Sequence, residues 1–268
     1  MNNKALLVGI NKYPDSRNDL RGCVNDILDM ENFIAEKNKV YATENIKKLT
    51  DKDATKKGIV ANIKWLMEGA QAGDSLLFHY SGHGSQIPTH NKPLEKDGLD
   101  EIICPYDYDG REETALRDKE FALLFAGIPE GVHFVWIWDS CHAEDLSRDP
   151  FQGVEKHYRY FNTLKPKANE ASILEEGPSD TLYQNTIVKP LNGALLSACA
   201  SNELSADAYI NNRFNGAFTY YLLKNLMQYS DNTSMQKVIQ LVNKDLSKNG
   251  YDQNPQSEGL LETKAFFL

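Results

Sequence analysis

Two polar clusters, each closing an apolar run, carry the residue types that nucleophilic catalysis needs. Val132-His133-Phe134-Val135-Trp136-Ile137-Trp138 is rich in β-branched and aromatic residues, which predicts a buried strand, and Asp139-Ser140-Cys141-His142 follows at its tip. Leu76-Leu77-Phe78-His79-Tyr80 ends in the same way in Ser81-Gly82-His83-Gly84, where two glycines give the backbone room for a tight turn around a histidine. A thiol attacks a carbonyl well only when a base takes its proton, so Cys141 as nucleophile and His83 as acid/base would form a competent pair. Free cysteines are usually buried and inert. Here the neighbours Asp139, Ser140 and His142 would be costly to bury without a purpose. The backbone N–H groups of Gly84 and Cys141 are the natural donors to a developing oxyanion. His79 and His83 could also be taken for a zinc pair, but strand alternation does not reproduce a helical face and no cysteine or histidine pair completes a ligand set, so no metal site is read. His90, His133, His142 and His157 read as packing or surface residues.

The elements that must position these residues alternate. Strands are predicted over 4–10, 46–50, the Leu76 and Val132 runs, and 193–199; helices over 19–37, 55–72, 118–126, 217–228 and 234–248. Alternation of strand and helix implies an α/β fold with a parallel sheet, whose ligands bind beyond the carboxyl ends of the strands. The first helix places Cys23 and Asp26 near its start. A capping role for Asp26 and a solvated turn for Asp139 are the alternatives to a shared pocket. Residues 85–110 read as a loop or hairpin over the site, Asp118 as a helix cap, and the apolar tail 265–268 as a possible edge strand. Residues 143–192 show no sustained period and read as a long surface loop or partly ordered insertion.

Composition bounds the function. The 268 residues suit one large domain, and 41% hydrophobic with 25% charged residues is an ordinary globular balance. No apolar run reaches the length of a membrane span, and the short run 5–10 is too small for a signal-peptide core. The four cysteines are far apart, which fits reduced thiols in a cytoplasm. A net charge of −9 disfavours nucleic acid and favours cationic substrates.

Five ordered blocks carry a resemblance: Leu20-Arg21-Gly22-Cys23-Val24-Asn25-Asp26, Tyr80-Ser81-Gly82-His83-Gly84, Asp97-Gly98-Leu99-Asp100-Glu101, Asp139-Ser140-Cys141-His142 and Ser205-Ala206-Asp207. Together they resemble the metacaspases and related bacterial caspase-like peptidases. The resemblance implies a single domain over 1–268 with a caspase-like three-layer α/β/α sandwich and a mainly parallel central sheet. It implies a cysteine endopeptidase acting after Arg or Lys, with His83 and Cys141 catalytic and Cys23, Asp26, Ser81 and Asp139 lining a pocket for the basic side chain. Rival readings are a catalytically silent caspase-like scaffold that binds peptides or partner proteins, and an enzyme preferring acidic substrates. No cofactor is required. Calcium is at most a modulator: Glu95, Asp97, Asp100 and Glu101 offer oxygen ligands, but Arg148 stands where calcium-dependent members carry an aspartate. The His142-Ala143-Glu144 sequence departs from the family's usual His-Ser-Gly. Any self-cleavage is expected after Lys156, Arg159, Lys165, Lys167 or Lys189.

Overall fold

A computed structural model describes residues 1–37, 39–89, 98–141, 157–161, 193–200, 203–229 and 233–259. Six strands form the central sheet: β1 (Lys4–Gly9), β2 (Ile46–Thr50), β3 (Ser75–Ser81), β7 (His133–Asp139), β9 (Ala194–Ser197) and β12 (Gln256–Gly259). Their spatial order is β12-β9-β7-β3-β1-β2, with the first five in sequence mutually parallel and β12 antiparallel to β9. The edge strand is therefore Gln256–Gly259, while the tail 265–268 lies outside the described residues. Gln, Ser, Glu and Gly have weak strand propensity, so backbone pairing to β9 makes this strand and no apolar pattern announced it.

Helices cover both faces because the strands alternate. In β1, Ala5 and Leu7 join one core cluster and Leu6 and Val8 the other. The first cluster packs against α1 (Cys23–Asn32, continued by a wide turn over Phe33–Lys37), α4 (Ala217–Tyr229) and α5 (Met235–Lys248). The second packs against α2 (Lys56–Met67) and α3 (Asp118–Phe125), where Phe78, Phe121, Phe125, Trp136 and Trp138 form a continuous aromatic group. Helix α5 shows how the sequence enforces this: Val238, Val242 and Leu246 recur every four residues on the buried face, and the Ser234 hydroxyl caps the N-terminus by accepting from Lys237 N–H at 3.3 Å. Asp118 is the first residue of α3 and not its cap; Arg117 holds that place, its N–H donating to Glu120 at 2.9 Å.

Two small sheets flank the carboxyl end of the central one. β4 (Gly84–Pro88) pairs antiparallel with β5 (Leu99–Ile103), which pairs with β6 (Leu116–Arg117), so the segment after His83 is a hairpin. β8 (His157–Tyr158) pairs antiparallel with β10 (Ala206–Ile210), and β10 with β11 (Arg213–Gly216). Asn211 and Asn212 turn the last hairpin with φ of 50° and 63°, a left-handed pair that asparagine tolerates better than other side chains. Within the segment 143–192, read from sequence as a surface loop or partly ordered insertion, residues 157–161 are ordered.

Candidate active site

Strands β3 and β7 are neighbours in register, Ser81 opposite Asp139, so His83 and Cys141 each lie two residues past a matched pair. Gly84 is pressed against the second tip: a Cβ there would collide with the Cys141 carbonyl oxygen. The His83 ring is oriented by the loop before α1, with Nε2 2.8 Å from the Asn18 carbonyl oxygen. A carbonyl can only accept, so the ring proton is on Nε2 and Nδ1 carries the free lone pair. The His83 backbone is fixed as well, its N–H donating to the Tyr13 hydroxyl at 3.0 Å and its carbonyl accepting from the Tyr80 hydroxyl at 2.7 Å. The Cys141 thiol donates to the Ser205 carbonyl at 3.1 Å.

Below these tips lies a buried acidic pocket. Asp26 accepts from Ser81 Oγ at 2.7 Å and from Gly216 N–H at 2.9 Å. Asp139 accepts from Thr219 Oγ1 at 2.6 Å and Ser205 Oγ at 2.8 Å. Asp207 accepts from the N–H groups of Arg21 and Gly22, each at 2.9 Å. Its contents are the main finding: the fully buried guanidinium of Arg159 lies 2.7 Å from Asp26, 3.1 Å from Asp139 and 3.3 Å from Asp207, and donates to Ser81 Oγ at 2.7 Å. Gly216 floors the pocket, since a Cβ there would fall 2.7 Å from both terminal nitrogens of Arg159. The carbonyl oxygen of Arg159 accepts from Gly84 N–H at 2.9 Å and Cys141 N–H at 3.3 Å.

Burial favours the neutral forms of both Cys141 and His83. Desolvation pushes the Cys141 thiol up to about 12, against hydrogen bonds from Ser205 and Arg159 that favour the thiolate. Desolvation likewise lowers His83 to about 4. Asp26 is raised to about 6, first by burial and then by the nearby Asp139 charge, with the Arg159 guanidinium pulling the other way. Cys23, at the start of α1, is buried beside Ser81, Asp26 and Arg159, and burial holds its thiol well above the usual range.

The structure thus brings together Cys23, Asp26, Ser81, His83, Gly84, Asp139 and Cys141. Two corrections follow. The pocket has three carboxylates, because Asp207 lies with Asp26 and Asp139, and it contains a cation of this chain where the sequence suggested none. Asp207 was legible only as part of the Ser205-Ala206-Asp207 block; Arg159 was legible only as one of five basic residues after which self-cleavage was expected. Of the calcium candidates, Asp100 and Glu101 lie on β5; the Asp100 carboxylate contacts Arg117 Nη1 at 2.5 Å and the Lys119 ammonium. Glu95, Asp97 and Arg148 lie outside the described residues, as do Lys156, Lys165, Lys167 and Lys189. Among the described residues no group of three or more His, Cys, Asp or Glu could hold a metal ion, and no helix is long and apolar enough to cross a membrane.

A family model described as metacaspase, peptidase C14 domain, matches residues 3–148. Metacaspase-1 of Meyerozyma guilliermondii is 32% identical, the match covering 94% of this chain and 68% of that protein. Metacaspase-1 of Mycosarcoma maydis is 30% identical over 94% of this chain and 69% of its own length. Metacaspase-1 of Cryptococcus neoformans var. neoformans is 33% identical, again over 94% of this chain but only 61% of its own length. The chain thus spans roughly two thirds of the length of these relatives. A crystal structure of a Geobacter sulfurreducens protein shares the fold, with a TM-score of 0.70 at 24% identity, covering 99% of this chain and 98% of that one. The three-layer α/β/α sandwich with its mainly parallel sheet and the sequence match over nearly the whole length agree: the chain belongs to the metacaspase family, with a peptidase C14 domain.

Proposed function

We propose that the chain is a cysteine endopeptidase that hydrolyses peptide bonds after Arg, and less readily after Lys, using Cys141 and His83. The observation that carries this reading is the position of Arg159. Its side chain fills an acidic pocket while its carbonyl oxygen receives one N–H donor from each tip, Gly84 beside His83 and Cys141 itself. That is the placement a cleaved residue needs, with charge selecting the side chain and fixed dipoles waiting for the oxyanion.

Chemistry follows from the same geometry. His83 Nδ1 takes the Cys141 proton, and the thiolate attacks the carbonyl carbon. The oxygen's growing negative charge is met by Gly84 and Cys141 N–H. The imidazolium returns the proton to the departing amine, leaving a thioester. Water then gives its proton to Nδ1, attacks the thioester and releases the acid and the thiol. The Asn18 carbonyl keeps the ring in the tautomer this needs. No step requires a cofactor. Calcium is at most a modulator, a reading supported by Asp100 being neutralised by Arg117 and Lys119. Its substrates are proteins or peptides bearing Arg or Lys at the cut, and a cytoplasmic location fits the unpaired thiols.

A silent peptide-binding scaffold is the second reading, favoured by a cleft already filled by this chain. Hydrolysis of an Arg-terminated fluorogenic peptide separates the two. Wild type should turn over, and Cys141→Ala should be inactive while keeping its circular dichroism; a folded Cys141→Ala enzyme with wild-type turnover eliminates the mechanism.

A further inference from the structure

Strand β3 carries an imidazole into the middle of the core. Leu77, His79 and Ser81 share the face that α1 and α4 cover, and their partners on β7 are Val135, Ile137 and Asp139. His79 therefore lies one step below the Ser81 and Asp139 pair at the pocket, and it is fully buried. Its Nδ1 has no hydrogen-bond partner among the described residues, and its Nε2 lies 3.4 Å from Thr219 Oγ1. An imidazole with one bond and one orphan nitrogen is costly to bury, so packing alone does not explain its presence.

Thr219 gives this contact a direction. It lies in the first turn of α4, and both its N–H, at 3.2 Å, and its hydroxyl, at 2.6 Å, reach Asp139 Oδ2. The hydroxyl has one proton and gives it to the carboxylate, so toward His79 it can only accept, and the ring proton is on Nε2. Every donor in the chain then points at the pocket: His79 Nε2–H to Thr219 Oγ1, and Thr219 O–H to Asp139. Accepting from the imidazole makes the hydroxyl a better donor. The other oxygen, Asp139 Oδ1, meets Ser205 Oγ at 2.8 Å and the guanidinium nitrogen Nη1 of Arg159 at 3.1 Å. The two oxygens of Asp139 are thus divided, one held by the frame and one presented to a cation. Asp26 is held from the same place, since Gly216 N–H, just before α4, reaches its two oxygens at 2.9 and 3.1 Å. The amino end of α4 faces both carboxylates, where its dipole favours negative charge.

Resting on the peptidase reading above, we propose that His79 and Thr219 are positioning residues for selection of the basic side chain. Neither touches that side chain; together they fix Asp139 so that Oδ1 faces into the pocket. Without the Thr219 hydroxyl, Asp139 keeps Ser205 Oγ and one backbone N–H, and its carboxylate can turn about the Cβ–Cγ bond, a soft torsion. The oxygen offered to a cation is then no longer fixed. The loss falls on cation binding, and a substrate with an uncharged side chain before the cut, which makes no use of Asp139, does not register it.

The test is steady-state hydrolysis of a pair of fluorogenic peptides that differ only in Arg or Ala before the cut, by wild type, Thr219→Val, Thr219→Ser, His79→Leu and His79→Gln, with thermal melts alongside. Thr219→Val should raise KM for the Arg peptide roughly tenfold to a hundredfold, the contribution of a hydrogen bond to a buried charge, with kcat within about twofold of wild type and kcat/KM on the Ala peptide unchanged. Thr219→Ser keeps the hydroxyl and should stay near wild type. His79→Leu, one bond further from the carboxylate, should raise the Arg KM roughly threefold to tenfold, and His79→Gln, which keeps an N–H donor, should recover most of that loss. An unchanged Arg KM in Thr219→Val, or a loss equal on Arg and Ala peptides as a purely structural role would give, overturns the positioning claim and leaves the peptidase reading standing. An unchanged Arg KM in His79→Leu alone removes His79 from it. Should Thr219→Val not fold, the His79 pair decides, and an unchanged KM in His79→Leu then overturns the claim. Absence of Arg peptide turnover by wild type overturns the peptidase reading beneath it.

Discussion

The molecule contains two buried ion clusters that look alike and behave differently. Around Arg159, three carboxylates from α1, β7 and β10 face one guanidinium, all with fully buried side chains. Around Asp100, one carboxylate faces two cations, Arg117 and Lys119, and Arg117 also reaches the half-exposed Glu112 at 3.0 Å. In the first cluster the carboxylates keep other donors, from Gly216, Thr219, Ser205, Arg21 and Gly22, so the pocket is built without its cation. In the second, the cations come from one short stretch at the start of α3 and are part of the frame. Excess acid with a preformed frame suits a cation from outside the frame; a carboxylate gripped by two cations of one short stretch makes a staple. Burial alone distinguishes neither, because a buried ion pair is weak evidence of net stabilisation.

Mutations that break each cluster should therefore fail in different ways. The largest effect on chemistry comes from the tip above the first cluster: Cys141→Ala should lower kcat by roughly 10⁶-fold, as removal of a nucleophile does, with the melting temperature little changed. Asp26→Ala comes next. Losing one partner of a buried charged pair costs about 2–5 kcal/mol, so kcat/KM on Arg peptides should fall by roughly 30-fold to several thousand-fold. Asp100→Ala should instead cost about 3 kcal/mol of stability, by removing the carboxylate that two buried cations share, and leave the ratio of Arg to Asp peptide turnover unchanged. Paired thermal melts and peptide assays on these two variants read the contrast directly.

A subtler contrast lies in pH. His79 and His83 are both lowered to about 4 by burial. A depressed imidazole binds fewer protons folded than unfolded, so its contribution to stability is complete above about 6.5 and is lost as pH falls through about 4. Asp26 has the opposite sign: raised to about 6, it favours the fold most below its ordinary 3.8, and that contribution is lost as pH rises through about 6. Melting temperatures between pH 4 and 6.5 should show an acid limb that His79→Asn flattens, by up to about 3 kcal/mol across the window. The smallest expected effect is Arg over Lys, roughly tenfold, because a planar guanidinium can meet several oxygens at once where an ammonium offers one compact charge.

How much of this was written locally can be traced residue by residue. The β3 and β7 strands, and hence the two tips, were legible because apolar runs of five and seven residues rich in Leu, Val, Ile and aromatics have few other uses, and Gly, Ser and His end them abruptly. The helix carrying Cys23 and Asp26 was legible from spacing, though it begins at Cys23 and not at Asp19. Arg159 was legible only as one of five basic residues after which self-cleavage could fall, with nothing to single it out. The short run His157-Tyr158-Arg159-Tyr160-Phe161 carries no helical or strand period long enough to read, and its place is set by pairing to β10 and Gly84, contacts made 48 to 76 residues away in sequence. Asp207 was hidden for a related reason: its pocket role depends on the Asn211-Asn212 turn folding β10 back on β11, which brings Gly216 beneath Arg159.

The most direct test of the central claim is the hydrolysis of matched fluorogenic peptides differing only in the residue before the cut, Arg, Lys, Asp or Ala, by wild type and Asp26→Ala. The account predicts that wild type favours Arg, accepts Lys more slowly and barely turns over Asp or Ala, and that Asp26→Ala collapses the Arg preference. Equal turnover of the Asp and Arg peptides by wild type, or an undiminished Arg preference in Asp26→Ala, would contradict it.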